Sequence, residues 1–243
     1  MKKLLLAGLF AASASMSVSA TVVDFDDSAF NNGAYASGVT FDDYDLAVGV
    51  GSVTQVGPNF TETGTLAITN FNLGLNPVMP NGFPGFKGYE LLMDYTLGGT
   101  AGLVAPNQLK VTFNSGTAAL YADTTIDGST AGATLLGNLS VSSGVCNVFT
   151  DAPGSCGIRM GFVPVSGFFS MNGVDLVDHQ AAGAGIWFDF TMTVQNIVGL
   201  NFTGTPFDVN HDGNVSVSVP EPTSIAILGL GLLGFAGTRR RKS

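Results

Sequence analysis

Residues 186–194, IWFDFTMTV, alternate regularly between apolar side chains and mostly polar ones. A period of two is typical of an antiparallel strand that has one buried face and one solvated face. The residues expected to face the core are Ile186, Phe188, Phe190, Met192 and Val194. Those expected to face outward are Trp187, Asp189, Thr191, Thr193 and Gln195. This stretch indicates a β-rich body.

The rest of the chain between residues 21 and 219 repeats the pattern in shorter runs that are separated by turn residues. For example, residues 109–113 alternate, the Asn-Ser-Gly at 114–116 predicts a turn, and residues 117–122 predict the hairpin partner. Amphipathic helix patterns are almost missing from the sequence of this region. We therefore predict one all-β domain over residues 21–219, an antiparallel β-sandwich or jelly-roll of about ten to twelve strands.

The first twenty residues have the pattern of a secretory signal peptide. Lys2 and Lys3 precede an apolar run over residues 4–12, and small residues end the segment at Ala20. Cleavage is expected after Ala20, and the residue that follows is not a cysteine, which argues against a lipoprotein signal. The segment 1–20 is thus predicted to be a signal helix that is removed on export.

The last residues fall into three parts. Pro220, Glu221 and Pro222 come first, and the two prolines prevent a helix from continuing through them. An uncharged apolar run over residues 224–237 follows, and it is short for a membrane span, which needs about 20 residues. The chain then ends in a basic cluster, Arg239, Arg240, Arg241 and Lys242. Basic residues beside an apolar helix stay on the cytoplasmic side of a membrane.

This three-part tail resembles the PEP-CTERM sorting signal of Gram-negative bacteria. The resemblance implies that residues 220–243 form a sorting signal with a short transmembrane helix, which inserts transiently in the inner membrane. It also implies processing by an exosortase, a membrane protease, and delivery to the cell surface or the medium. Two alternatives are a plain C-terminal anchor, which the short helix disfavours, and a cell-wall sortase signal, whose Leu-Pro-x-Thr-Gly is absent from the sequence.

The net charge of the chain limits the classes of partner that it can bind. The chain carries 9 basic and 18 acidic residues, a formal net charge of −9. Between residues 21 and 219 only Lys87, Lys110 and Arg159 are basic and 17 residues are acidic, so three minus seventeen gives −14. A body of this charge repels nucleic acid and anionic membranes and attracts cations. Nucleic-acid binding is therefore not expected.

Cys146 and Cys156 are the only cysteines. An even pair in an exported chain predicts a disulfide, here closing a short loop whose Asp151, Pro153 and Gly154 indicate a turn. The predicted disulfide stabilises the fold by about 2–3 kcal/mol.

The pattern Asp208-x-Asn210-x-Asp212-Gly213 matches the first half of a calcium loop. Its oxygen ligands would come from Asp208, Asn210 and Asp212. The acid expected at the twelfth position is replaced by Val219, so two interpretations stay open. One is a Ca²⁺ site, the single cofactor that the sequence suggests, and the other is a polar turn ahead of the sorting signal.

The sequence offers no recognisable catalytic centre. His179 and His211 are the only histidines, and neither accompanies a nucleophile motif, so both are expected to lie exposed in loops. Any two of the many acids would serve a glycosidase mechanism, so no pair is singled out. Trp187 and Tyr121 are candidates for stacking against a sugar. We therefore predict a protein that is not an enzyme.

Three short motifs suggest a closer resemblance. They are Phe60-Thr-Glu-Thr-Gly64, Gly88-Tyr-Glu-Leu91 and Leu120-Tyr-Ala-Asp123. Together with the tail they resemble the flocculation-associated PEP-CTERM proteins. This resemblance implies a matrix protein that associates with exopolysaccharide and promotes cell aggregation, as in flocs or biofilm. The alternatives are a secreted carbohydrate-binding module and a polysaccharide hydrolase.

Overall fold

The computed structural model describes residues 21–31, 33, 37–78, 88–149, 152–195 and 204–219. Strands hold 69% of these residues and helix 3%, which confirms the all-β class. The predicted signal helix over 1–20 and the predicted hydrophobic helix over 220–243 lie outside the described residues.

The described residues form thirteen strands and one short helix. In chain order they are β1 (Val23–Phe25), β2 (Val39–Phe41), β3 (Asp43–Val56), β4 (Asn59–Leu73), β5 (Asn76–Pro77), β6 (Glu90–Ala105), β7 (Gln108–Asp123), β8 (Thr134–Phe149), β9 (Gly154–Pro164), β10 (Phe169–Met171), β11 (Val174–Asp175), α1 (Leu176–Ala181), β12 (Trp187–Gln195) and β13 (Phe207–Ser218).

Eight of these strands close into an antiparallel barrel. Their order is β3-β13-β12-β9-β8-β7-β6-β4, and β4 pairs back onto β3. The predicted sandwich or jelly-roll is therefore corrected to a closed barrel, which leaves none of these eight strands at a free sheet edge. Alternating strands with one buried face fit both architectures, so the sequence pattern does not separate them.

The barrel strands are longer than predicted because some glycines mark irregularities inside strands rather than turns. β7 runs without a break through residues 114–116, where we predicted a turn. Gly116 there has a φ of +141°, and a Cβ at this position would lie 2.6 Å from the carbonyl oxygen of Thr96. Glycine thus lets β7 stay paired with β6 where any other residue would clash.

The two ends of the barrel differ. At one end, which we term the hairpin end, two-residue turns connect β3 to β4 and β6 to β7, and β8 ends where β9 begins. At the other, the small-sheet end, the connections are longer and carry a second sheet in the order β11-β10-β1-β2. Phe25 of β1 contacts Phe71 and Tyr89, and Phe169 of β10 contacts Phe162. These aromatic contacts join the small sheet to the barrel core.

The core fills the barrel interior. The side chains predicted to face inward from residues 186–194 are all buried, which confirms the assigned face. The outward positions Trp187, Asp189 and Thr193 are half-buried and Thr191 is exposed. The alternation in sequence therefore maps directly onto the inside and outside of the barrel.

Candidate functional site

Three carboxyl groups lie close together at the small-sheet end. Glu90 is the first residue of β6 and Asp123 is the last of β7, and the two are directly paired across the strands. Asp127 follows in the connection to β8. One ligand oxygen from each residue lies within 4.8 Å of the other two. We call these three residues the carboxylate cluster.

Two members of the carboxylate cluster are buried although they are acidic. Glu90 and Asp123 are each only 4% exposed, whereas Asp127 is exposed. Like charges that face each other across paired strands destabilise a sheet, and burial strengthens their repulsion. The cluster is therefore an arrangement that the fold holds at a cost unless a cation joins it.

Hydrogen bonds within the carboxylate cluster fix the loop that follows β7. Glu90 Oε1 accepts bonds from the backbone N–H groups of Asp127 (3.1 Å) and Gly128 (2.8 Å). Asp123 Oδ1 accepts from the N–H of Thr125 at 2.8 Å, and Asp127 Oδ1 accepts from that of Ser129 at 2.9 Å. Asp123 Oδ2, by contrast, is buried and has no partner among the described residues.

A second buried polar group lies inside the barrel. Tyr95 donates its hydroxyl proton to Glu62 Oε1 at 2.9 Å, and His211 Nε2 also contacts this oxygen. His211 is 5% exposed and projects inward from β13, so the prediction of an exposed loop histidine was wrong. The prediction for His179 was also wrong, because this residue lies half-buried in α1.

The space around Glu62 and His211 is too small for a ligand. A cavity of about 60 Å³ lies toward the hairpin end, lined by apolar side chains such as Phe60 and Phe113. A neighbouring cavity holds about 20 Å³. Small-molecule sites usually occupy roughly 300–1,000 Å³. Glu62, Tyr95 and His211 are therefore part of the packed barrel interior, and the space beside them is not a substrate pocket.

The outer face of the barrel carries a row of small polar residues. Adjacent strands pair so that one continuous row crosses six of them, and it consists of Thr63, Thr96, Thr117, Ser140, Gly161 and Trp187. A shallow open trough of about 470 Å³ lies over its middle, lined by residues that include Asp94, Thr96, Thr117 and Asn138. We call this surface the polar row.

Trp187 ends the polar row with its ring close to the barrel surface. A Cβ on Gly161 would lie 3.3 Å from the ring, so the absence of a side chain there lets the indole pack close to the barrel surface. The Arg159 guanidinium stands 5.9 Å from the ring centroid and also pairs with Asp189. Tyr121, the other sugar-stacking candidate, lies four residues beyond Thr117 on β7 and is not in this row. The two aromatic candidates therefore do not form one platform.

The predicted calcium loop is not a loop. Asp208, Asn210 and Asp212 all lie in β13, which pairs with β3 on one side and β12 on the other. Along a strand, alternate residues are about 6.8 Å apart, so three of them do not converge on one ion. The loop geometry was wrong because the sequence pattern also has the period of a strand, with Val209 and His211 buried between the polar positions.

The disulfide between Cys146 and Cys156 is present. The two residues are directly opposite each other in the β8–β9 hairpin, and their side chains line the interior at the hairpin end. The bond therefore ties two barrel strands near their turn.

The predicted processing sites lie outside the described residues. They are Ala20 at the signal cleavage point and Pro220, Glu221, Pro222, Arg239, Arg240 and Arg241 of the sorting motif. The described residues that adjoin them are neighbours, because the N–H of Val219 donates to Thr21 Oγ1 at 3.1 Å. Removal of both ends would leave every described strand in place.

The three residues of the carboxylate cluster were not grouped as a site from the sequence. Glu90 and Asp123 are 33 positions apart and meet only through the register of β6 and β7. The Asp127-Gly128 pair indicates a turn, and Gly128 indeed has a φ of +73°. Glu90 and Asp123 also lie in two of the short motifs quoted above, Gly88-Tyr-Glu-Leu91 and Leu120-Tyr-Ala-Asp123, but those motifs do not show that the two residues meet.

Comparison with known proteins identifies one region of the chain. Residues 218–242 match the PEP-CTERM protein-sorting motif. No curated protein and no solved structure matches the chain. Within the part of the chain that the structure describes, no helix has the length and apolar character to cross a membrane. The tail thus supports an exported substrate of an exosortase in a Gram-negative bacterium.

Proposed function

We propose that this protein is a non-enzymatic component of the extracellular matrix, which associates with exopolysaccharide and promotes cell aggregation. The sorting motif over residues 218–242 supports its export to the cell surface. The observation that carries the proposed partner is the polar row on the outer face of the barrel, with Trp187 at its end.

The polar row has the chemistry that a polysaccharide needs. Its threonine and serine hydroxyls both donate and accept hydrogen bonds, as sugar hydroxyls do. Thr63, Thr96, Thr117 and Ser140 are all exposed, so these groups face solvent. Trp187 adds an apolar ring with a polar N–H, a side chain that is enriched at interfaces. A chain of sugars laid across the strands would contact successive members of the row.

Charge fits a matrix role as well. The region 21–219 carries a formal charge of −14, which keeps separate copies apart in solution. Cations would bridge these acids to an acidic polysaccharide, so aggregation is expected to depend on divalent ions and to weaken at high salt.

Binding measurements test whether exopolysaccharide is the partner. Purified protein is titrated with exopolysaccharide from the host strain, and Trp187→Ala and Thr117→Val are compared with Tyr121→Ala. We expect the first two variants to bind at least about tenfold more weakly, a loss of roughly 1.4 kcal/mol, and Tyr121→Ala to bind normally. Equal binding by all four proteins would remove the polar row from the proposal.

Deletion of the gene tests the role. We expect a strain without it to flocculate less, wild-type protein to restore flocs, and Trp187→Ala to restore them only in part. Unchanged flocculation in the deletion strain would contradict the aggregation role. Release of soluble sugars from exopolysaccharide by the purified protein would contradict the non-enzymatic role and favour the hydrolase alternative.

A further inference from the structure

We propose that Glu90, Asp123 and Asp127 form a calcium-binding site at the small-sheet end of the barrel. This site is independent of the proposed polysaccharide contact, because its residues lie at the end of β6 and β7 and not on the polar row. It is also distinct from the pattern at Asp208–Asp212, which the strand geometry of β13 excludes as a loop.

The carboxylate cluster has no basic side chain beside it among the described residues. Three carboxylates lie within 4.8 Å of one another, and two of them are buried. The basic residues in the described part of the chain, histidines aside, are Lys110 and Arg159. Arg159 pairs with Asp189, and Lys110 is 13 residues from Asp123 along β7, which is about 40 Å in a strand. Among the described residues, neither of these two side chains neutralises the carboxylate cluster, and a bound cation would do so.

One oxygen of the carboxylate cluster is free to bind an ion. Asp123 is 96% buried, and its Oδ2 has no hydrogen-bond partner among the described residues. A buried carboxylate oxygen without a partner has lost the hydrogen bonds that water would give it, which is unfavourable. Its other oxygen, Oδ1, already holds the loop through Thr125. A metal ion would supply the missing partner of Oδ2.

The loop that carries Asp127 is held in place by hydrogen bonds. Glu90 Oε1 holds the backbone of Asp127 and Gly128, and the positive φ of Gly128 bends the chain so that Asp127 returns toward β6. The hydrogen bonds therefore set the position of the third carboxylate before any ion binds. Sites that are fixed in advance bind more tightly, because less conformational entropy is lost on binding.

The donor set selects calcium. All three side chains offer oxygen, and neither histidine nor cysteine is among them, which disfavours zinc and copper. Calcium takes six to eight oxygens at about 2.3–2.6 Å, so two ligands on opposite sides of the ion are up to about 5 Å apart. The ligand oxygens of the cluster all lie within 4.8 Å of one another, which is compatible with that spacing. Magnesium, at about 2.0–2.1 Å, requires a tighter octahedron.

Calorimetric titration of the purified protein with CaCl₂ tests this site. We expect one ion per chain with a dissociation constant of about 10⁻⁴ M or tighter. Asp123→Asn and Glu90→Gln keep side-chain size and remove charge, and each is expected to weaken binding at least about tenfold. Asp212→Asn on β13 is the matched control and is expected to bind as the wild type does.

Thermal unfolding gives a second readout that detects folded variants without calcium. In a chelator, Asp123→Asn is expected to melt at or above the wild-type temperature, because it removes one of the repelling charges. At a calcium concentration of about 100 times the wild-type dissociation constant, the wild type is expected to gain about 5–10 °C and the variant at most about half as much. Calcium would thus raise the melting temperature of the wild type relative to that of Asp123→Asn. A carboxylate with a purely structural role would not produce this calcium-dependent change.

Three results would overturn the site: no calcium heat in the wild type, equal binding by Asp123→Asn, or loss of binding in Asp212→Asn alone. Magnesium that binds as tightly as calcium would overturn the choice of ion. Each of these results leaves the polysaccharide measurements unaffected, so the two proposals fail separately.

Discussion

Two buried tyrosines allow a matched test of how polar groups stabilise this barrel. Tyr95 and Tyr44 are 7% and 1% exposed, and both rings pack in the core. The Tyr95 hydroxyl donates to Glu62 at 2.9 Å. The Tyr44 hydroxyl has no partner among the described residues. Changing either residue to phenylalanine removes the hydroxyl oxygen, which is hydrogen-bonded in Tyr95 and has no partner among the described residues in Tyr44.

The expected magnitudes have opposite signs. Tyr95→Phe removes a hydrogen bond to a buried carboxyl group, which contributes about 1.5–3 kcal/mol when the acceptor is charged. It also leaves a small void, because the hydroxyl fills the space over Gly51 and Gly64. Tyr44→Phe removes a buried hydroxyl that is unpaired, and we expect it to stabilise the fold by up to about 1–2 kcal/mol. The two variants should thus differ by about 2–5 kcal/mol.

Urea denaturation measures both variants, with the fluorescence of the single tryptophan, Trp187, as the signal. Equal slopes with separated midpoints would show that stability alone has changed. If Tyr44→Phe were as destabilising as Tyr95→Phe, the hydroxyl of Tyr44 would have a partner, and the account of the barrel interior would be refuted.

Three further perturbations have definite expected outcomes. Burial raises the pKa of three phenols above the usual value of about 10, most strongly by desolvation; they are Tyr44, Tyr89 and Tyr95. Because these phenols lose their protons at lower pH in the unfolded chain, the free energy of unfolding should fall above about pH 10, by up to ~1.4 kcal/mol per pH unit for each phenol. Urea midpoints measured from about pH 8 to pH 11 would show this fall. A flat profile would contradict it. Replacing both Cys146 and Cys156 by serine should lower stability by about 2–3 kcal/mol, and an unchanged urea midpoint would reject that contribution. Asp175 is the N-cap of α1 and accepts from the N–H of Val177, so Asp175→Ala should cost about 1 kcal/mol, measured by the same denaturation; no change would mean that the cap is dispensable.

The sequence predicted the faces of the strands better than their arrangement. The stretch 186–194 was correct in face and nearly so in bounds, since β12 spans Trp187–Gln195. Alternation is a local property that survives in any half-buried strand. Closure of the barrel depends on the pairing of β3 with β4 and on long continuous strands, and the glycine at 116 concealed that continuity.

The candidate sites differ in the same way. Contiguous motifs can be recognised in the sequence, whereas a site formed by strand pairing cannot. The sorting motif is contiguous and was found from the sequence. The pattern at Asp208–Asp212 is also contiguous, yet its spacing of two is shared by calcium loops and by strands, and β13 is a strand. Glu90 and Asp123 come together only because β6 and β7 pair in one register. No local rule identifies such a pair in advance.

The account as a whole depends on delivery of the barrel to the outside of the cell with both ends removed. The most direct measurement is the intact mass of the protein recovered from the cell surface and medium of a strain with an active exosortase. We expect a chain that begins at Thr21 and lacks the basic residues from Arg239 onward. A recovered protein that still carries Ser243, or one found only inside the cell, would contradict the account.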